Sequence, residues 1–369
     1  MEKLNKVVAI TISILVLSFS CWFVLGEKKE FSDNEFRYLQ KFPEFSFDSL
    51  LNGDYIENIE SYFTDHFPLR ENFVSLKTLV YNLSLQELIN NVYVADDGYL
   101  INRFDNPVNL DKIIGIINNF KENNKDLNIS ILLSPTATSI YENLLSKYNI
   151  NISEREIIGY YYNSLNIDTI DIYDSLINEK NNYQLFYKTD HHWTSFGAYF
   201  AYVEFCKANN IDYYTLDEFN IEVVSDEFLG TLYSKVFTTN QEKDKIHKIN
   251  LKDIDFTVNY SDKTTNGLYE ESYLKEKDKY SYFLNTNKPL IEITNNKIKS
   301  NEEILIIKDS FANSFIPMLA NHYKKVHVID PRYYNLAISD YIKEHNLKNV
   351  LLLYNINNID TDTGILKLR

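Results

Sequence analysis

From residue 110 onward, short apolar runs alternate with stretches whose apolar residues recur at steps of three and four. That spacing predicts a helix over 110–123, ahead of the run Ile129-Ser130-Ile131-Leu132-Leu133. Further helices are expected over 139–147 and 154–165, then a strand over 168–173. Near the C-terminus the order repeats: strand 303–307, helix 312–323, strand 326–329, helix 336–344, strand 350–354. Runs this short and apolar, separated by helices, predict an α/β fold with a parallel sheet covered on both faces. Functional groups in such sheets gather at the C-terminal ends of the strands.

The N-terminus imposes a second constraint. After Lys3 and Lys6, residues 7–26 carry no charge, and about 20 such residues cross a bilayer as one helix. The run ends Cys21-Trp22-Phe23-Val24-Leu25-Gly26, too bulky for the small-residue exit of a cleaved signal peptide. The expectation is an uncleaved anchor over 1–26 with its N-terminus inside and the rest of the chain outside. A polar spacer over 27–45 is expected next, then one domain over 46–369 with a polar insertion near 238–280. Within that domain, helices are expected over 52–63 and 71–85, separated by a turn at Pro68. A hairpin is expected around Asp97-Gly98. Asp65 and His66 read as residues that fix the turn.

Two cysteines, Cys21 in the anchor and Cys206 in the domain, leave the exported part without an internal disulfide. A net charge of −15 excludes a nucleic-acid partner, whose phosphates require a basic footprint.

Chemistry concentrates in Asp190-His191-His192-Trp193, between a polar, aromatic run and an expected helix over 195–208. Imidazole titrates near neutral pH and serves as a general base. A neighbouring carboxylate fixes its tautomer and stabilises the cation formed on proton uptake. The nucleophile that would complete the set is Ser310, 118 residues beyond His192. It follows strand 303–307 through Lys308 and Asp309, at a strand-to-helix turn where backbone N–H groups are placed to stabilise an oxyanion. An N-cap serine is the alternative reading of the same position.

Asp190-His191-His192-Trp193 resembles the motif that names the DHHW family. Together with Asp309-Ser310-Phe311 it is similar to the alginate O-acetyltransferase proteins of the SGNH-hydrolase-like superfamily. Those carry an Asp-x-His-Trp motif ahead of an Asp-Ser-Phe nucleophile motif. The resemblance also takes in residues 63–70, Asp97-Gly98, Pro135-Thr136 and residues 280–283. It implies an SGNH-hydrolase-like sheet, with Ser310 as nucleophile, His192 as base and Asp190 as the orienting carboxylate; His191 is not carried over. The sequence departs from the pattern at Ala137, where relatives often have Lys, and at Lys308, where they have Gly. Trp193, Asn287 and Arg332 are candidates for substrate or oxyanion contacts, Trp193 as a wall beside the loop.

The resulting expectation is an extracytoplasmic serine-dependent O-acetyltransferase or acetylesterase acting on a polysaccharide or cell-wall glycan. It implies no cofactor and no metal, and a membrane-bound acetyl-donor partner if the chain is a transferase. The triad is expected to converge in a solvent-open cleft. Two rivals remain: a metal phosphoesterase using Asp190, His191 and His192 with Asp168, Asp171 and Asp174, and a non-catalytic carbohydrate-binding protein on the same fold.

Overall fold

The uncharged N-terminal run forms helix α1 (Glu2–Leu25) in a computed structural model that describes residues 2–32, 37–83, 88–148, 150, 152–238 and 241–368. Its segment Lys3–Leu25 is long and apolar enough to cross a membrane, and none of it is buried. By its contacts the chain divides into two units, Met1–Asn90 with Ser234–Asn240, and Asn91–Tyr233 with Gln241–Arg369.

In the first unit, α1 is followed by a short antiparallel pair, β1 (Phe31–Ser32) and β2 (Arg37–Tyr38). Helices α2 (Phe47–Leu51), α3 (Asp54–Asp65) and α4 (Arg70–Leu83) complete it. Ser46 caps α2 by accepting the Ser49 N–H, as its residue type favours. Gly53 takes a left-handed φ of 92°, so the helix expected from 52 begins at Asp54. Pro68 falls in the turn between α3 and α4, and the end of the helix expected to reach 85 lies outside the described residues.

The second unit opens with a hairpin, β3 (Val92–Val94) against β4 (Leu100–Asn102), turning through Asp97 and Gly98, both at positive φ. The chain then runs through α5 (Leu110–Asn123), β5 (Asn128–Ser134), α6 (Ala137–Ile140), α7 (Glu154–Ser164), β6 (Asp168–Ile170), α8 (Tyr173–Glu179) and α9 (Ser195–Ala208). Strand β7 (Phe219–Phe228), helix α10 (Thr231–Val236), which crosses into the first unit, and strand β8 (Asp244–Leu251) follow. Strands β9 (Phe256–Asn259), β10 (Thr264–Thr265), β11 (Leu290–Asn295) and β12 (Glu303–Lys308) come next. The remaining elements are α11 (Ala312–Leu319), β13 (Lys325–Ile329), α12 (Ile338–Glu344), β14 (Asn349–Asn355) and α13 (Ile356–Thr361).

Among the described residues the main sheet has eight strands in the order β10-β9-β11-β13-β12-β14-β5-β6. From β13 to β6 it is parallel, and β11, β9 and β10 add an antiparallel edge. That edge departs from the all-parallel expectation. In β11 buried and half-buried residues alternate, the pattern of an antiparallel strand, whereas β12 and β14 are buried almost throughout. Two expected elements are also shorter. The Asp171 side chain accepts the Tyr173 N–H and turns the chain into α8, ending β6 at Ile170. Thr136 caps α6, which makes only one turn before a 3₁₀ segment.

Period-2 alternation sorts the strand residues onto two faces. Leu132, Ile304, Ile306, Leu351 and Leu353 pack with α9 and α11, and Ile131, Leu305, Ile307, Val350 and Leu352 with α5, α7 and α12. Each such side chain contributes about 1.5–3 kcal/mol by leaving water. Register brings the C-terminal ends of β12, β14 and β5 together, Lys308 opposite Leu353 and Asn355 opposite Ser134. Ser310 lies two residues beyond β12.

Candidate active site

The loop bearing Asp190 and His192 is closed by its own backbone. The Tyr187 N–H donates to His192 O at 3.2 Å and the Thr194 N–H to Leu185 O at 2.8 Å. Thr194 then caps α9, its hydroxyl accepting the Phe196 and Gly197 N–H groups. Buried Asp244 ties down the opposite side, accepting the Lys188 and Thr189 N–H groups at 2.8 Å each and the Thr189 hydroxyl at 2.6 Å. Two glycines permit this closeness. A Cβ on Gly197 would lie 2.3 Å from Leu185 O, and one on Gly230 would lie 2.3 Å from the Asp190 Cβ.

On that loop Asp190 Oδ1 lies 2.6 Å from His192 Nδ1 and accepts the His192 backbone N–H at 3.0 Å. Its Oδ2 accepts the Thr231 N–H at 2.8 Å and hydroxyl at 2.9 Å. Burial works against the charge on Asp190. The His191 and His192 imidazoles, with the His192 and Thr231 hydrogen bonds, outweigh it and hold the carboxyl far below its usual range. A carboxylate only accepts, so the imidazole carries its proton on Nδ1 and presents Nε2 as acceptor. His192 Nε2 lies 2.8 Å from Ser310 Oγ. The imidazole is held by a parallel stack with Tyr280 at 3.7 Å between ring centres, with Phe311 at 5.1 Å. The Tyr280 hydroxyl donates to Ser310 O at 3.1 Å.

The turn carrying Ser310 is strapped from below. Asp309 is fully buried and accepts the Phe311 N–H at 2.8 Å, the Asn355 N–H at 2.8 Å and the Asn358 amide at 2.7 Å. Burial pushes its carboxyl up, against those bonds. Lys308 is fully buried as well, its ammonium 2.7 Å from Asn287 Oδ1, 2.7 Å from Asn313 Oδ1 and 3.5 Å from Asp330. Burial pulls it down to about 8, with Asp330 opposing. Arg332 clamps the same Asp330 through Nε at 2.8 Å and a terminal nitrogen at 2.6 Å.

The flanking residue before α11 is Phe311, and α11 has no side-chain cap. The hydroxyl of Ser310 meets His192 instead, so the N-cap reading of this serine is set aside. Three other expectations change. The triad side chains are largely covered, Ser310 keeping 8% of its surface exposed, against the expected solvent-open setting. Trp193 offers nothing to a substrate: it is fully buried, its indole N–H donating to Phe311 O at 2.8 Å and Ser314 Oγ at 3.0 Å. The Phe311 N–H, one of the oxyanion donors expected at the turn, is taken by Asp309. Asn287 stands next to the Lys308 ammonium, its Oδ1 also accepting the Asn313 amide at 3.2 Å, which fixes which way its amide faces. Arg332 is committed to Asp330, which lies 3.5 Å from the Lys308 ammonium, and its charge also acts on Asp309 of the nucleophile turn.

His191 is half-buried, its Nδ1 2.8 Å from the Thr231 hydroxyl, and its ring leans on His192 at 3.9 Å. Asp190, His191 and His192 do bring one possible metal-ligand atom each within 4.8 Å. Those atoms are committed to one another, to Thr231 and to Ser310. Asp174 is paired with Arg155 at 2.6 Å and Asp171 starts α8, so neither serves as a spare ligand. Sequence reasoning missed Tyr280, Thr231, Gly230 and Asp244. Tyr280 lay in a segment the resemblance takes in and Asp244 in the stretch expected to be a surface insertion, and no local spacing ties any of the four to His192.

A family model described as "DHHW protein" matches residues 79–329. Among solved structures, that of a DHHW family protein from Eubacterium siraeum DSM 15702 superposes with a TM-score of 0.66 at 22% identity, covering 75% of this chain and 95% of that one. Bacillus cereus PatB1 with a sulfonyl adduct superposes with a TM-score of 0.60 at 20% identity, covering 75% and 99%. The O-acetyltransferase domain of Pseudomonas putida AlgJ is matched with a TM-score of 0.49 at 13% identity, covering 74% and 93%. No curated protein matches the chain.

Proposed function

The chain belongs to the DHHW family, and from that premise we propose that it is a membrane-anchored, extracytoplasmic serine acyltransferase or acetylesterase acting on cell-envelope or exopolysaccharide. The observation that carries this reading is the chain Asp190–His192–Ser310, with a contact of 2.6 Å within the motif loop and one of 2.8 Å between residues 118 positions apart. Ser310 Oγ attacks the acetyl carbonyl carbon while its proton passes to His192 Nε2. The tetrahedral intermediate collapses, and the departing donor oxygen takes that proton, leaving the acetyl group on Ser310. A sugar hydroxyl (transfer) or water (hydrolysis) then attacks the acyl-enzyme, giving its proton to His192, which returns it to Ser310 Oγ. Asp190 holds the imidazolium formed twice in this cycle. Asn287, oriented by Lys308 and Asn313, is the side chain we assign to the oxyanion.

On the reading of α1 as a retained anchor, this chemistry lies outside the membrane, where a transferase requires a membrane-bound partner to deliver the acetyl group. The polysaccharide acceptor follows from the resemblance of the paired motifs to alginate O-acetyltransferases. The alternative is a non-catalytic carbohydrate-binding protein on the same fold, and one experiment separates the two. Protein treated with an activated acetyl ester is expected to gain one acetyl group on Ser310 by mass spectrometry, and Ser310→Ala and His192→Ala are expected to gain none. PatB1 carries a sulfonyl adduct, so an aryl sulfonyl fluoride is the complementary probe. Wild-type protein inert to both reagents would leave the binding reading standing.

A further inference from the structure

Helices α3 and α4 and the turn between them present large apolar side chains outward. Phe63, Phe67, Phe73, Leu76 and Val80 are each about half exposed. On α4, Phe73, Leu76 and Val80 follow one another at three- and four-residue steps, a stripe along one side of the helix. A soluble surface rarely leaves so much apolar area uncovered without a partner.

The rings of α1 indicate what covers it. Phe19 stacks on Phe67 at 5.7 Å and lies 6.3 Å from Phe73, and Phe23 stacks on Phe63 at 4.9 Å. Phe19 and Phe23 stand six and two residues before Leu25, the last residue of α1. At a rise of about 1.5 Å per residue, they lie about 9 and 3 Å inside the outer end of the helix. Helices that lie in a membrane interface sink about 5–10 Å into the boundary of headgroup and acyl chain, and aromatic rings favour that depth. Charge agrees with this placement. Lys28, Lys29 and Arg70 line a cavity of about 330 Å³ at the outer end of α1, with Trp22, His66, Glu27 and Asp65, the last accepting the Gln40 N–H. The Lys28 ammonium lies over the Phe23 ring at 3.7 Å and donates to the Phe23 carbonyl, which holds a positive charge at the outer end of α1.

We propose that α3 and α4 lie in the outer interface of the membrane, their apolar stripe covered by phospholipid and the basic cavity facing the headgroups. The first unit is then a two-part anchor, one helix across the bilayer and two along it. This rests on the reading of α1 as a retained span.

The test uses the full chain in phospholipid vesicles. With Cys21→Ser as background and Cys206 buried, single cysteines at Ile12, Glu57, Phe63 and Leu76 carry an environment-sensitive fluorophore. Nitroxide lipids then quench it from the headgroup or from deep in the acyl chain. The expected result is deep quenching at Ile12, shallow quenching several-fold stronger at Phe63 and Leu76 than at Glu57, and loss of that difference at Phe63 when Phe73→Glu and Val80→Glu are added. Quenching at Ile12 with Phe63 and Leu76 no different from Glu57 would overturn the interfacial placement while leaving the span intact. No quenching at Ile12 would remove the span and the proposal together. Crosslinking of Leu76 between copies in dilute vesicles would assign the face to a second copy of the chain instead.

Discussion

Asp190 can reach His192 only because nothing projects from Gly230. A Cβ there would stand 2.3 Å from the Asp190 Cβ and 2.5 Å from Oδ2, so Gly230→Ala must push the carboxylate off the imidazole or distort the loop. Loss of the orienting carboxylate in a serine triad costs about 10⁴ in rate. Gly230→Ala is therefore expected to slow acetylation of Ser310 by at least about tenfold, between wild type and Asp190→Asn, measured by mass spectrometry against time. The two adjacent histidines are expected to separate clearly. His192 meets the nucleophile, whereas His191 meets Thr231. His192→Ala is expected to abolish acyl transfer, and His191→Ala to retain measurable activity at near-normal stability. Equal loss in both, with metal bound to wild type and missing from each variant, would point to the phosphoesterase rival.

Helix α9 braces the motif loop and α7 anchors the turn after β5, and each carries a prediction. Helix α9 meets the loop at Gly197, where an added Cβ would fall 2.3 Å from Leu185 O and 2.9 Å from the Trp193 Cβ. Alanine in a helix gains up to about 1 kcal/mol over glycine, but overpacking of this kind costs about 1–3 kcal/mol or more. Gly197→Ala is expected to lower the urea midpoint. At the start of α7, Glu154 is fully buried and accepts the Thr136 N–H at 2.7 Å and hydroxyl at 2.5 Å. Burial nevertheless raises its carboxyl to about 7 from an ordinary 4.5. The folded protein then holds this proton where the unfolded chain has lost it, so stability falls as pH rises from about 4.5 to 7, by about 3 kcal/mol, and is level above. Glu154→Gln is expected to flatten that part of the pH–stability curve in urea titrations at pH 5 and 8. The elements themselves differ in how far sequence reveals them. Helix α5 was legible from its apolar period, α9 follows the Thr194 cap, and strands β5, β12 and β14 were legible as short apolar runs between helices. Strand β11 was not, since its mixed Leu290-Ile291-Glu292-Ile293-Thr294 is fixed by pairing with β13 and β9. Likewise Asp190 and His192 were legible because two positions apart suffice for their contact. Tyr280 stacks on the same imidazole from 88 residues away, through tertiary folding alone.

At the scale of the whole molecule, the distribution of apolar surface sets the expected topology. Among the described residues, α1 is the one helix long and apolar enough to cross a membrane, and the second unit encloses its apolar side chains in two layers about its sheet. That unit carries a single cysteine, Cys206, fully buried in the core, its thiol pushed up to about 12 by burial. A thiol held neutral and away from solvent neither pairs nor reacts, which suits a domain that holds together without a disulfide. Both features predict that residues 27–369 stand folded on the outer side of the membrane, with Lys3 and Lys6 on the inner side. Protease added to intact cells is expected to cut the exported part, with cleavage sites in exposed segments. A maleimide is expected to leave Cys206 unlabelled until the protein is denatured. Complete protection from protease, with an accessible extracytoplasmic control digested in the same cells, would invert the topology and take the acyl-transfer chemistry to the other side of the membrane.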